Sequence, residues 1–427
     1  MIDVRKLRED FDGVAAALAR RGDPALQGLL AQAQGLERER RTLLVEIEAA
    51  RSTINRVSGE IGAKVKQGLA VDADREAVRV QKDTLKEREE LLRTNEGTLD
   101  TLLLGLPNFV EADVPDGGAE ANRVVRTWGT PPTTDFTPKP HWELGPALGL
   151  FDLPAGAKIT GSGFPVFTGV GAKLIRALSG FMLDLHTAEH GYLEVAPPYV
   201  VNRASLTATG QLPKFADEVY HAEIDDLFLI PTAEVPLTNM LRDEILDVAD
   251  LPTAYCGWTP CFRREAGAAG KDTRGLIRVH QFDKVELVRF VKPEDGRAEH
   301  QKITAHAEAV LQRLGLPYRV LELAAGDTGN ASAHTYDLEV WAPGVGTWLE
   351  VSSSSLFTDY QARRANIRFR REPKAKPEFV HTLNASGVAF PRCIIALLEH
   401  YQQADGSVLI PAPLQPYLGT DRLRARA

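Results

Sequence analysis

Residues 260–282 read PCFRREAGAAGKDTRGLIRVHQF. Two strand-like edges flank a glycine-rich loop that carries Arg263, Arg264, Lys271, Arg274 and Arg278. Guanidinium forks suit phosphate oxygens, so the stretch reads as an anion site between two strands. The plain alternative is an exposed hairpin with solvated charges. The next residues, Phe282-Asp283-Lys284-Val285-Glu286-Leu287, alternate as a strand and set Lys284 and Glu286 on one face. In isolation an outward polar face explains that pair. Turned into a site, Glu286 can accept hydrogen bonds from an amine or hydroxyl.

Three further segments end apolar strands with polar groups. Leu229-Ile230-Pro231-Thr232-Ala233-Glu234 supplies a hydroxyl and a carboxylate, which a helix N-cap also explains. Trp348-Leu349-Glu350-Val351-Ser352-Ser353-Ser354-Ser355 supplies a carboxylate and hydroxyls. Hard oxygen donors of this kind suit magnesium on nucleotide phosphates; a serine-rich loop is the alternative. Leu383-Asn384-Ala385-Ser386-Gly387 leads through Arg392 into an apolar helix. An Arg at a helix start opposes the macrodipole unless an anion or a ring compensates. No GxxxxGK[ST] phosphate loop and no GxGxxG after a strand is present, so any nucleotide is held by another design.

The N-terminal quarter has a different grammar. From Leu26 to Leu103 proline is absent and apolar residues recur every seventh position. One seam is Leu26, Ala33, Arg40, Ile47, Ile54 and Ile61; a second is Leu29, Leu36, Leu43, Ala50 and Val57. A later run is Val71, Val78, Leu85, Leu92 and Leu99, with a polar companion seam of Asp74, Gln81, Arg88 and Asn95. Gly68 can end one helix and Asp72 can cap the next. The spacing predicts an antiparallel hairpin of two helices, each of about 30–40 residues, reaching roughly 50 Å and projecting. A dimerising coiled coil and a nucleic-acid arm both fit, because Arg51, Arg56, Lys64 and Lys66 near the tip are interleaved with acids further on.

The 427 residues carry 50 Lys+Arg against 58 Asp+Glu, a net charge of −8. Bulk affinity for nucleic acid or anionic membrane is not expected. The first 110 residues are nearly neutral, 18 against 19, and the excess acid sits in the remainder, 32 against 39. The three cysteines, Cys256, Cys261 and Cys393, give no disulfide framework and fit a reducing cytoplasm. Without a second Cys/His pair beside Cys256 and Cys261, no zinc is expected. The start of the chain is charged at once, and no run of about 18 apolar residues marks a membrane span.

Taken together, these runs resemble the bacterial-type seryl-tRNA synthetases, a class II aminoacyl-tRNA synthetase family, over essentially the whole chain. Residues 260–282 resemble the second class-defining motif, and Asn384 to Arg392 the third. The run from Gly191 to Pro198 resembles the first, weaker one. The resemblance implies an α+β chain: a helical tRNA-binding arm over residues 1–108, then a class II catalytic domain over 109–427, an antiparallel sheet flanked by helices. It implies a cytoplasmic homodimer away from membranes. It implies that L-serine is activated with ATP and passed to the terminal adenosine of serine tRNA, and of selenocysteine tRNA where one exists. The arm would reach the long extra arm of that tRNA.

By the same resemblance, Arg263, Glu265 and Arg392 serve catalysis. Thr232, Ala233, Glu234, Arg263, Glu286 and Ser386 bind serine. ATP meets Arg263, Arg264, Glu265, Val279, Glu350, Val351, Ser352, Ser353 and Arg392. Glu350 and Ser353 carry Mg2+. Two positions depart from the family pattern: Arg264, where Ser is usual, and Ala385, where Gly or Asn is usual. Strand alternation turns Arg264 away from Arg263 and Glu265, so a change in surface charge is expected rather than lost activity.

Overall fold

A computed structural model describes residues 1–266 and 273–425. Lys271 of the cationic loop, with Gly267 and Gly270, lies outside the described residues. The chain forms two compact units, Met1–Pro107 and Asn108–Ala427.

In the first unit, short helices α1 (Val4–Glu9) and α2 (Phe11–Ala19) pack on α3 (Ala25–Lys66), which pairs with α4 (Asp72–Gly105). The antiparallel register shows in the ion pairs Arg40–Glu96 (3.0 Å), Arg51–Glu89 (2.6 Å) and Lys64–Asp74 (2.6 Å). At 42 residues α3 exceeds the expected length and spans about 63 Å. Gly68 takes the left-handed conformation (φ 72°) just past the helix end. Asp72 does not cap: it is the first helical residue of α4, after Val71.

The first seam is buried at Leu26, Ala33, Ile47 and Ile54. The second departs from the heptad near the base, where Leu30 and Glu37 are buried instead of Leu29 and Leu36. There α3 is clasped by α1 and α2 as well as by α4, so its buried stripe is wider than a two-helix seam. Two members of the polar companion seam of α4 reach across the interface: Asn95 Nδ2 donates to Glu39 (3.0 Å), while its Oδ1 is a buried acceptor with no partner among the described residues, and Arg88 pairs with Glu46 (3.1 Å); Gln81 is exposed.

The second unit is built on an eight-stranded sheet. Its strands are β1 (Arg123–Trp128), β2 (Leu193–Glu194), β3 (Thr253–Phe262), β4 (Gln281–Val291), β5 (Tyr318–Glu322), β6 (His334–Ala342), β7 (Thr347–Thr358) and β8 (His381–Ala389). They lie in the order β1-β5-β6-β7-β8-β4-β3-β2, antiparallel except for the β3–β2 edge. Helices α5 (Val170–Ala188), α6 (Glu234–Asn239), α7 (Gly296–Arg313), α8 (Tyr360–Ala365) and α9 (Phe390–Tyr401) pack against it.

Strand β4 divides the unit. Val285, Leu287 and Val291 enter the main core with α5, α7 and α9. Val288 and Phe290 enter a second core with Ala233, Leu237, Ile367 and Phe369. Lys284 and Glu286 precede them on this second face. Both are buried, 6% and 0% exposed, so the outward polar face expected from the pattern is not what forms.

Cys256 packs in the main core, and Cys261, five positions along the same strand, is also buried. All three cysteines are free thiols, and burial pushes Cys256 and Cys393 up to about 12.

Candidate active site

The ends of β3, β4, β7 and β8 and the start of α9 surround a cavity of about 260 Å³. Its wall includes Thr232, Glu234, Arg263, Glu265, Val279, Glu350, Val351, Ser353, Ser386 and Arg392. Four residues named from sequence are not on that wall. Ala233 is buried in the second core. Ser352 is buried and donates its hydroxyl to the Ser386 carbonyl (2.6 Å). Glu286 lies behind Thr232 and Lys284. Arg264 stands beyond the end of β3, where its N–H donates to the Glu218 carbonyl (2.9 Å); burial raises the Tyr220 phenol, and the Arg264 charge only partly opposes this.

The cationic loop is split in the same way. Arg263 and Arg278 face the cavity, whereas Arg274 lies over the Trp142 ring at 4.3 Å.

The buried end of the cavity is a closed polar circuit. Thr232 Oγ1 donates to Glu286 Oε2 (3.0 Å) and accepts from Lys284 Nζ (3.0 Å) and the Glu234 N–H (3.2 Å). That uses the full capacity of a hydroxyl. Lys284 also pairs directly with Glu286. The second oxygen of Glu286 is a buried acceptor with no partner among the described residues.

Glu234 accepts from Gln361 Nε2 (2.5 Å) and Asn384 Nδ2 (2.9 Å), and Gln361 is itself held by Thr382 (2.7 Å). Burial first, and then the nearby Glu286 charge, push the Glu234 carboxyl up to about 7. The amides and Lys284 act in the opposite sense without cancelling them.

The other end is held by backbone. Arg392 sits at the start of α9, donates Nε to the Ile277 carbonyl (3.0 Å) and Nη1 to the Glu350 carbonyl (2.7 Å), and lies 3.5 Å from the Glu350 carboxylate. These acceptors offset the cost of a cation at a helix N-terminus. Glu265, at φ 50°, pairs with Arg278. Behind the loop, Leu276 N–H donates to His141 Nε2 (3.0 Å), and His141 Nδ1 meets Glu399 (2.9 Å). The backbone donor fixes the tautomer: Nε2 accepts, and Nδ1 carries the proton toward the carboxylate. Gly275 must be glycine, since at φ 67° a Cβ would stand 2.3 Å from His141 Nε2.

A β-bulge sets the remaining wall. Pairing of β6 with β7 slips between Leu338/Glu339, so Glu350 opposes Glu339 while Ser352 opposes Leu338, and Val351 is the extra residue. Ordinary alternation would pair Glu350 with Ser352; the bulge brings Glu350 and Ser353 to the same cavity. Asp337 lies behind them. Burial and then the Glu350 charge hold its carboxyl well above the usual carboxylate range, and its hydrogen bond with Ser353 opposes this.

Residues 1–110 match the seryl-tRNA synthetase N-terminal domain, and residues 218–401 match the tRNA synthetase class II core domain (G, H, P, S and T). A serine–tRNA ligase from Gemmatimonas aurantiaca is 55% identical over 98% of this chain and 99% of its own. The chain belongs to the seryl-tRNA synthetase family. Among solved seryl-tRNA synthetases, that of Pyrococcus horikoshii complexed with ATP superposes with a TM-score of 0.95 at 38% identity, covering all of both chains. The cytoplasmic enzyme of Naegleria fowleri in complex with AMP gives 0.87 at 27% identity, covering 100% of this chain and 99% of its own.

The sequence reading left out Lys284 and Asn384, which line the cavity, and Gln361, which holds Glu234. Strand parity already put Lys284 beside Glu286. Gln361 carried no signal, because its partners lie 127 and 21 positions away.

Proposed function

We infer that the protein is a serine–tRNA ligase, which joins L-serine to ATP as seryl-adenylate with release of pyrophosphate and then passes the seryl group to the terminal ribose of tRNA(Ser). What carries this reading is a full-length relative of that name at 55% identity, together with a cavity that has a carboxylate-rich buried end and an arginine-rich outer end.

Serine carboxylate and the α-phosphate are both anions. Arg263, between the two ends, serves them in common, and its fixed charge offsets their repulsion as the carboxylate oxygen approaches phosphorus. Glu234, Thr232 and Ser386 hold the ammonium and hydroxyl of serine. Glu286 completes this set once Lys284, which lies against it, gives way to the substrate. A buried carboxylate oxygen left unpaired penalises alanine, which has no hydroxyl to offer. At the outer end Arg392 covers the adenine, with Val279 beneath it, and Glu265 meets the base.

Glu350 and Ser353 hold Mg2+. The donor set fits: hard oxygens and a half-exposed carboxylate, with the buried Asp337 carboxyl behind them. The ion supplies charge neutralisation on the nucleotide phosphates.

The remaining parts of the reading are a cytoplasmic homodimer and an arm that takes tRNA(Ser), and tRNA(Sec) where one exists. The exposed apolar residues Leu193, Tyr199 and Val200, at and beside the β2 edge, support pairing of subunits there. Among the described residues no helix is long and apolar enough to cross a membrane.

Pyrophosphate exchange scanned over the amino acids tests the reading. Serine alone should support exchange, and Glu286→Ala should raise the serine requirement far more than the ATP requirement. Exchange driven by another amino acid refutes the assignment, and equal effects on both substrates refute the role of Glu286.

A further inference from the structure

Gln361 is not on the wall of the active-site cavity, yet its amide is committed on three sides. The residue is 1% exposed and stands in α8 behind Glu234. Its Nε2 donates to Glu234 Oε1 (2.5 Å) and to the Thr209 carbonyl (3.2 Å), and its Oε1 accepts from the Thr382 hydroxyl (2.7 Å). The three partners come from the start of α6, the end of the helix Arg203–Thr209, and β8.

These partners fix which way the amide faces. A backbone carbonyl can only accept, so the nitrogen lies toward Thr209 and its second hydrogen points at Glu234. Turned over, the amide would set its oxygen against the Thr209 carbonyl and the Glu234 carboxyl, and its nitrogen would take the place of the Thr382 hydroxyl's acceptor.

Glu234 is buried at the cavity wall. One of its oxygens takes the Gln361 N–H and the other the Asn384 N–H (2.9 Å), which leaves each oxygen a lone pair for a ligand. Donors aimed at a carboxyl favour its ionised form, and the Gln361 amide cannot reverse into an acceptor to suit the acid. The charges around Glu234 are mixed. Lys284 and Glu286 come from β4, and Arg263, Glu265 and Arg278 line the same cavity. Arg364 of α8 is turned to the Tyr360 hydroxyl and to the Thr207 and Leu212 carbonyls. The helix Arg203–Thr209 and β8 present neutral groups, the Thr209 carbonyl, Thr382 and Asn384.

We propose that Gln361 is a positioning residue for serine: it holds Glu234 in one orientation and as the carboxylate that meets the substrate ammonium. The proposal rests on the serine-binding reading above.

The test follows serine-dependent pyrophosphate exchange by the full-length protein across pH. In the wild type the midpoint of kcat/KM for serine should lie at about 7. Gln361→Met keeps the length of the side chain and loses the amide. Its midpoint should move up by about one to two pH units, since a hydrogen bond to a charged group is lost. At pH 7 kcat/KM for serine should then fall about 5- to 50-fold, following the carboxylate share, and should recover to within about threefold of wild type above the new midpoint. The KM for ATP should stay within about twofold. Thr382→Val, which frees the amide to turn, should move the midpoint the same way by less. A wild-type midpoint in either variant, or a kcat/KM lowered equally at every pH, overturns the role of Gln361. Absence of serine-dependent exchange in the wild type instead overturns the reading on which it rests.

Discussion

Glu234 sits where its proton matters. Its carboxyl is pushed up to about 7 by burial and by Glu286, so near neutral pH it is divided between acid and carboxylate. Only the carboxylate attracts the serine ammonium. The kcat/KM for serine in pyrophosphate exchange should therefore rise with pH through about 7 and level off above it. In Glu234→Gln that rise should vanish, with kcat/KM low throughout; a rise that survives the substitution assigns the titration to another group. Its own stretch of sequence showed this residue as a carboxylate two positions after a threonine, and only the family resemblance placed it with serine. Its raised proton affinity comes from burial and then from Glu286, against the opposing hydrogen bonds of Gln361 and Asn384, partners that the chain supplies from remote segments.

At the scale of elements, legibility followed the range of the forces. The hairpin was readable because heptad periodicity and a glycine turn are local. Its one misread stripe, at Leu30 and Glu37, arises where α1 and α2 add a second packing partner. Glu37 is 4% exposed and, among the described residues, is held by Arg40 (3.4 Å) and Arg41 (3.9 Å), and Arg40 has Glu96 as well. Burying a carboxylate costs more than pairs this long return. Glu37→Leu should raise stability by about 1 kcal/mol in denaturant unfolding of the full chain. A loss of stability would show that the pairs outweigh the desolvation.

In the catalytic unit, parity placed Lys284 with Glu286 but could not say which side faced water, because a polar strand face reads the same over solvent and over a cavity. The bulge at Val351 was equally silent. It depends on how β6 and β7 register, which no single stretch of sequence records.

At the scale of the molecule, charge and fold agree on a division of labour. The N-terminal unit is nearly neutral, and several of its tip cations are spoken for: Arg56 by Glu60 (2.7 Å), Lys64 by Asp74 and Arg79 by Glu76 (2.6 Å). In the proposed role, selection of a tRNA by such an arm rests on shape more than on field. Removing Gln27 to Thr101 should leave serine-dependent exchange intact, since the catalytic unit has its own core, and should abolish tRNA charging. Full charging by the shortened chain would end the arm's assigned role.

The order of the sheet also governs how the molecule comes into being. Strand β8, near the end of the chain, lies between β7 and β4 in the middle of the sheet. While the chain is being made, β3 can pair with β4, and β6 with β7, but the inner edges of both pairs stay open until residues 381–389 emerge. Ser386 and Arg392 arrive with that last segment. A growing chain therefore carries two sticky edges and no catalyst, and one late insertion closes the edges and completes the site together.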